Sequence, residues 1–237
     1  MLIWYSRYDL VVALTGAFPV SISRQWFTAR LAYHRAQIDA EPDNIDWRIE
    51  ERLSSFRLIT YDMSLMIAKA TRGQIDPDKQ KEEHAEIGRA LMEWKENWDS
   101  ALVDPTYLVA DFERQQPENP DDIVDPYCYG VLYRPPLISS TILEIEYRSV
   151  MIFHHSQSTA VPLEQMFAEI GKHGYIICQY FETLEFWPKT PRGALHVVLA
   201  CVAIAAMFLP RDSRHMMWSR RKMATIEQTG YVFFSII

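Results

Sequence analysis

With 237 residues, of which 49% are hydrophobic and 13% aromatic, the chain has the material for a sizeable core and is no disordered tail. Its 31 acidic against 24 basic side chains leave a formal net charge of −7, which sets the chain against phosphate backbones and excludes the profile of a self-sufficient DNA-binding module. Eight glycines are few for this length, and Leu, Ile, Met, Ala, Glu and Arg fill the long segments between prolines. The expected fold is therefore all-α, an irregular bundle of about eight helices forming one domain over residues 1–237.

In chain order, WYSRYDLVVALTGA reads as helix, with Trp4, Tyr8, Val11 and Val12 on one face and Gly16 with Pro19 as the stop. A second helix is expected from Ser23, a candidate cap, to about Ala40, before Pro42. From Ile49 to Arg72 the residues Leu53, Phe56, Ile59, Met63, Met66, Ile67 and Ala70 mark one amphipathic stripe, with Gly73 as the natural terminator. Asp76-Pro77 then supplies a cap and first-turn proline for a stripe running Ile87, Leu91, Trp94, Trp98, Leu102. The two helices should form an αα-hairpin.

Residues 104–136 carry six prolines and the acidic run QQPENPDDIVDPY, so a long Pro-rich acidic loop or crossover is expected there. Helices are predicted beyond it at Ile138–His155, Pro162–Phe186, Gly193–Leu209 and Asp212–Thr229, the last ending at Gly230. The apolar run Ala194–Leu209 falls short of the roughly 20 residues needed to span a bilayer and reads as a core helix. Cys128, Cys178 and Cys201 lie far apart and read as buried thiols of an intracellular protein.

Nucleotide-binding glycine loops, a Walker loop, a serine-hydrolase elbow, H-E-x-x-H and C-x-x-C are all missing. Asp121-Asp122-Ile123-Val124-Asp125 matches the D-D-x-x-D pattern with which helical prenyl-diphosphate enzymes hold magnesium. Pro120 and Pro126 bracket it too tightly for a helix face, however, so an exposed acidic loop is the expected reading and a Mg-dependent enzyme the alternative. His154 and His155 are adjacent, about 100° apart on a helix, and the other histidines lack an i,i+4 partner; they are expected to be structural. Arg211 to Lys222 packs five Lys/Arg into one helix, read as a solvated face with Trp218 and Ile226 inward, or less readily as a contact for a partner. Gly171-Lys172-His173-Gly174 mimics a KH-domain loop inside a helical pattern. The 10 methionines and abundant aromatics suit either an ordinary core or a greasy cavity, for which the helices around Trp94, Trp187 and Phe208 are the candidate walls.

Taken in order, several stretches resemble the fungal-specific transcription factor domain, the regulatory region that follows a six-cysteine binuclear zinc cluster. They are Trp4–Phe27, the helix pair around Ile45–Leu102, Ile123–Pro136 (IVDPYCYGVLYRPP), Ile177–Pro188 (ICQYFETLEFWP) and Met207–Phe233 (MFLPRDSRHMMWSRRKMATIEQTGYVF). The last rests on Leu209-Pro210, Arg211-Asp212, Trp218 before Arg220-Arg221-Lys222, and Glu227 ahead of Gly230-Tyr231. The resemblance implies a non-enzymatic, nuclear, helical domain that modulates RNA polymerase II transcription, with dimer-promoting surfaces, contacts to co-regulators and an apolar small-molecule effector. It assigns no catalytic or metal-binding residue and no membrane association. Cys128, Cys178 and Cys201 cannot build a six-thiolate cluster, so zinc and DNA contact are expected only from a segment upstream of Met1, relative to which the chain reads as truncated, or from a partner. The closing Phe234–Ile237 departs from the family's usual proline-containing end.

Overall fold

The computed structural model describes residues 2–112, 119–158, 161–191 and 193–228. The segment 113–118, within the expected loop 104–136, and the expected stop at Gly230 with the residues after it lie outside the described residues. The protein is all-α: it is mostly helical, with no strand among the described residues. In chain order the helices are α1 (Leu2–Gly16), α2 (Arg24–Ala40), α3 (Ile45–Thr71), α4 (Pro77–Glu96), α5 (Ile138–Ser156), α6 (Leu163–Phe186), α7 (Ala194–Phe208) and α8 (Ser213–Glu227), with single 3-10 turns at Ser100–Leu102 and Pro105–Tyr107. They fall into two compact units, the first formed by Met1–Asp104 with Phe153–Pro162 and the second by Pro105–Ile152 with Leu163–Ile237.

In the first unit α3 is the hub, since α1, α2 and α4 all pack on it. This explains why its buried set is wider than a single stripe: Ile49, Phe56, Met63, Met66 and Ile67 are joined by Arg52, Ser54, Arg57, Thr60 and Ser64. A helix covered on three sides leaves little surface for polar residues, so Thr60 and Ser64 turn their hydroxyls back onto the carbonyls of Phe56 and Tyr61 at 2.9 and 2.7 Å. The helix begins one turn before the expected Ile49, because the Asn44 side chain accepts from the Asp46 N–H and caps it there. It ends in a Schellman turn: the Gly73 N–H bonds the Ala70 carbonyl and the Gln74 N–H the Lys69 carbonyl, with Gly73 in the left-handed region at φ 63°.

Asp76 caps α4 by accepting from the Asp78 and Lys79 N–H groups, and Pro77 opens the helix. Replacing Asp76 with Ala is expected to cost about 1 kcal/mol, read as a lower urea midpoint at unchanged slope. The stripe anticipated through Leu102 is interrupted: α4 stops at Glu96, and Asp99 caps a separate 3-10 turn that buries Leu102. Asn97 and Asp99 both prefer turns, and Arg48 on α3 pairs with Asp99 and fixes that turn in place.

Elsewhere in this unit the ends of α1 and α2 differ from expectation. The face of α1 carrying Trp4, Tyr8 and Val12 is exposed, while Ser6, Leu10, Ala13 and Leu14 face the core. Ala17, not Gly16, takes the left-handed position after the helix, at φ 52°. Ser23 occupies the cap position of α2 without a side-chain bond. The loop before it is held instead by Asp9, whose carboxylate accepts from the Ser21 N–H and hydroxyl and from the Ile22 N–H at 2.8–3.0 Å.

In the second unit α6 packs on α7, and α7 on α8. Helix α7 buries Val198, Leu199, Cys201, Val202, Ile204 and Ala205, and among the described residues no helix is long and apolar enough to cross a membrane. The segment before α5 contains an isolated antiparallel bridge between Leu108 and Tyr133 and buries Val109, Tyr127, Leu132 and Leu137. Its described residues form no α-helix, in keeping with its proline content, yet spaced apolar residues pin it down. Cys178 and Cys201 are buried thiols, whereas Cys128 in this segment is only half-buried.

Candidate functional site

The aspartates of the D-D-x-x-D match lie in turns, and their polar groups serve the second unit itself. Asp122 pairs with Arg221 of α8, and its carbonyl accepts from Arg214. The Asp125 carboxylate caps the Tyr127 N–H at 2.8 Å, while its carbonyl accepts from Gln179 of α6. Among the described residues no group of three or more His, Cys, Asp or Glu side chains is arranged to hold a metal ion. Asp121 and Asp125 are exposed, as expected of an acidic loop, while Asp122 is tied to α8 through Arg221.

The basic stretch of α8 differs from the expected solvated face at one decisive position. Lys222 is only 3% exposed, and its ammonium donates to Glu182 and Glu185 of α6, both at 2.6 Å. Glu182 is fully buried and also accepts from the Trp218 indole N–H at 2.6 Å. Burial pushes the Glu182 carboxyl up, and the Lys222 ammonium and the indole N–H act against that rise. With Arg221 on Asp122, α8 directs part of its positive charge inward, while Arg211, Arg214 and Arg220 remain exposed. At its N-terminus, Asp212 caps the helix through the His215 N–H and also accepts from the His215 Nδ1–H at 2.8 Å; Nε2 then accepts from the Tyr175 hydroxyl at 2.7 Å. This chain has the order of a proton relay, but burial pushes the Tyr175 phenol up, away from the ionised form a nucleophile needs. Burial likewise pushes the Cys178 thiol up and leaves it inert. The KH-like Gly171–Gly174 lies inside α6, with Gly174 buried beside α7.

His154, expected to be an ordinary structural histidine, is stacked on His84 of α4 with centroids 4.0 Å apart and planes 10° apart. Each ring donates Nε2–H to the other residue's carbonyl, at 2.9 and 3.1 Å. Gly88, one turn beyond His84, makes room, since a Cβ there would stand 2.9 Å from the His154 Nε2. The His154 Nδ1 is buried without a partner, and burial, followed by the charge of His84, pulls the imidazole down to about 4.

Trp94 belongs to the first unit, and Trp187 and Phe208 to the second, so no one unit holds all three residues of the anticipated apolar pocket. Around Trp94 lies a different arrangement. The Arg52 guanidinium sits 4.1 Å from the Trp94 ring centroid and 5.0 Å from that of Trp98, which itself packs edge-on against Trp94. Arg52 is 8% exposed, and its Nε and Nη2 have no acceptor; the buried Trp98 Nε1 has none either. Desolvation pulls the guanidinium down to about 10, leaving it charged at neutral pH. Arg52 falls on the apolar stripe, three residues after Ile49 and four before Phe56, yet spacing alone gives no reason for a charge to be buried there; packing against Trp94 and Trp98 supplies it.

No family model matches this chain, and comparison with curated proteins and with solved structures gave no match.

Proposed function

We propose that this chain is a non-catalytic regulatory domain of the fungal zinc-cluster transcription factor type, which acts in the nucleus to modulate RNA polymerase II transcription. In this reading DNA is reached through a zinc cluster upstream or through a partner, and the helical domain contributes dimer contacts, docking for co-regulators and a response to an apolar effector. One observation carries it. Three stretches that resemble the family meet within the second unit: Asp125 of Ile123–Pro136 is bonded by Gln179, and Glu182 and Glu185 of Ile177–Pro188 hold Trp218 and Lys222 of Met207–Phe233. In this reading the resembling stretches supply residues that pack the second unit together. The net charge of −7 also disfavours a direct grip on duplex DNA.

Fusion of the whole chain to a heterologous DNA-binding domain is expected to change reporter transcription several-fold relative to that domain alone. The isolated chain should show only weak, salt-sensitive duplex binding in anisotropy titrations. Unchanged reporter output, or sequence-selective binding that survives high salt, would remove this reading.

A further inference from the structure

We infer that Arg52 and Trp98 form a binding site for a carboxylate. The inference rests on the first unit alone and stands apart from the regulatory reading above. Three N–H donors, Arg52 Nε, Arg52 Nη2 and Trp98 Nε1, are buried and have no acceptor. Buried donors are almost always satisfied, and leaving several unpaired around one guanidinium is costly. The protein's own acids are already engaged: Glu50 with Arg30, Glu51 with Arg35, and Asp99 with Arg48. Arg48 is engaged as well, its Nε and Nη2 donating to the Pro42 carbonyl while Nη1 reaches Asp99.

The identity of the two unpaired arginine nitrogens narrows the ligand. Nε–H and one Nη2–H project side by side from the same edge of the planar guanidinium, at the spacing of the two oxygens of a carboxylate. A single-acceptor ligand would leave one of them unmet. Trp94 and Trp98 hold this cation at 4.1 and 5.0 Å from their ring centroids, which fixes its orientation and keeps bulk water from screening it. The Trp94 N–H takes no part, since it donates to the Arg52 carbonyl and the Ser55 hydroxyl at 3.1 and 3.2 Å. The Trp98 N–H is a further unpaired donor on the ring whose centroid lies 5.0 Å from this guanidinium, and the Lys95 ammonium, 5.6 Å from the same centroid, adds positive charge. Guanidinium edge, indole N–H and a second cation together favour an anion with two adjacent oxygens, bound end-on through its carboxylate.

The test uses the full chain, purified without carboxylate buffers, and titrated with sodium acetate at constant ionic strength against chloride. Tryptophan fluorescence and Tm are read together. Acetate should give a saturable change with half-saturation at about 1–10 mM, in keeping with so small a ligand. Arg52→Met should abolish it, and Arg52→Lys, which keeps the charge but loses the fork, should weaken it at least about tenfold. Trp98→Phe keeps the ring and removes the N–H, so half-saturation should rise about three- to tenfold; this variant decides the matter should Arg52→Met not fold. A linear acetate response, or one equal in the parent and these variants, would show that water satisfies the donors and overturn the site. Saturation by inorganic phosphate at lower concentration than acetate, with the same Arg52 dependence, would overturn the carboxylate assignment.

Discussion

Replacing Lys222 with Met is expected to destabilise the protein by about 3–5 kcal/mol at neutral pH, the largest effect of any single substitution on a charged residue here. The reason lies in what remains. Glu182 is fully buried, and without Lys222 its carboxylate keeps, among the described residues, the Trp218 N–H as its donor, with Glu185 as a like charge nearby. Burial already pushes this carboxyl up, and Lys222 is the main cause that lowers it, so the variant's Glu182 should rise well above its unfolded value. A folded carboxyl raised in this way favours the protonated form, and its penalty is present at high pH and relieved as pH falls. The loss in Lys222→Met should therefore shrink between pH 7 and pH 5. Adding Glu182→Gln should recover most of the stability, because the amide carbonyl still accepts from Trp218 while the buried charge is gone. Urea unfolding at both pH values measures this; a loss under about 1 kcal/mol, or one that does not depend on pH, would show that the pair is not desolvated as described.

The same lysine shows where the sequence is readable and where it is not. Caps and stops are local chemistry, and Asn44, Gly73, Asp76-Pro77, Asp99 and Asp212 each end or begin an element where the residue type demands it. The all-α class, the hairpin of α3 and α4, and the core role of α7 follow from such signals with apolar spacing. Burial of charge does not, because a pattern of apolar and polar positions assigns every lysine and arginine to water. Lys222 and Arg52 contradict that assignment only through partners 40 and 42 residues away: Glu182 for the first, and for the second Trp94, whose N–H bonds the Arg52 carbonyl. The face of α1 fails in the opposite sense, since Trp4, Tyr8 and Val12 share one side yet the smaller Ala13 and Leu14 face α3. Spacing reveals that a helix has an apolar side, and tertiary packing decides which side is covered. The D-D-x-x-D match was legible as a string, but its meaning depended on Arg221, which is 99 residues from Asp122.

The second large effect concerns acid and the His84–His154 pair, separated by 70 residues and held by reciprocal bonds. Each ring uses Nε2–H as a donor, so protonation must occur at Nδ1, and the His154 Nδ1 is buried with no acceptor for a new N–H. A second imidazole stacked 4.0 Å away and His155 beside it make a positive charge less welcome still. The fold therefore holds His154 neutral, with its imidazole pulled from 6.5 to about 4. For a histidine lowered on folding, the unfolded chain binds the proton more readily, so stability is intact above about pH 6.5 and falls as pH drops, the loss being complete near pH 4. Across that window the expected cost is about 3 kcal/mol, or up to about 1.4 kcal/mol per pH unit. The His34 imidazole is also lowered by burial and the Glu182 carboxyl is raised, so both act alongside His154 as pH falls, and the difference between parent and a His154 variant isolates this imidazole. His154→Phe preserves a ring against His84 and cannot take the proton; its stability should decline less steeply than the parent's from pH 6.5 to pH 5, by up to about 1.4 kcal/mol per pH unit. Parallel stability curves for parent and variant would show that His154 accepts a proton in the folded state at no cost, and that the stacked pair is not the acid-sensitive joint between α4 and the end of α5.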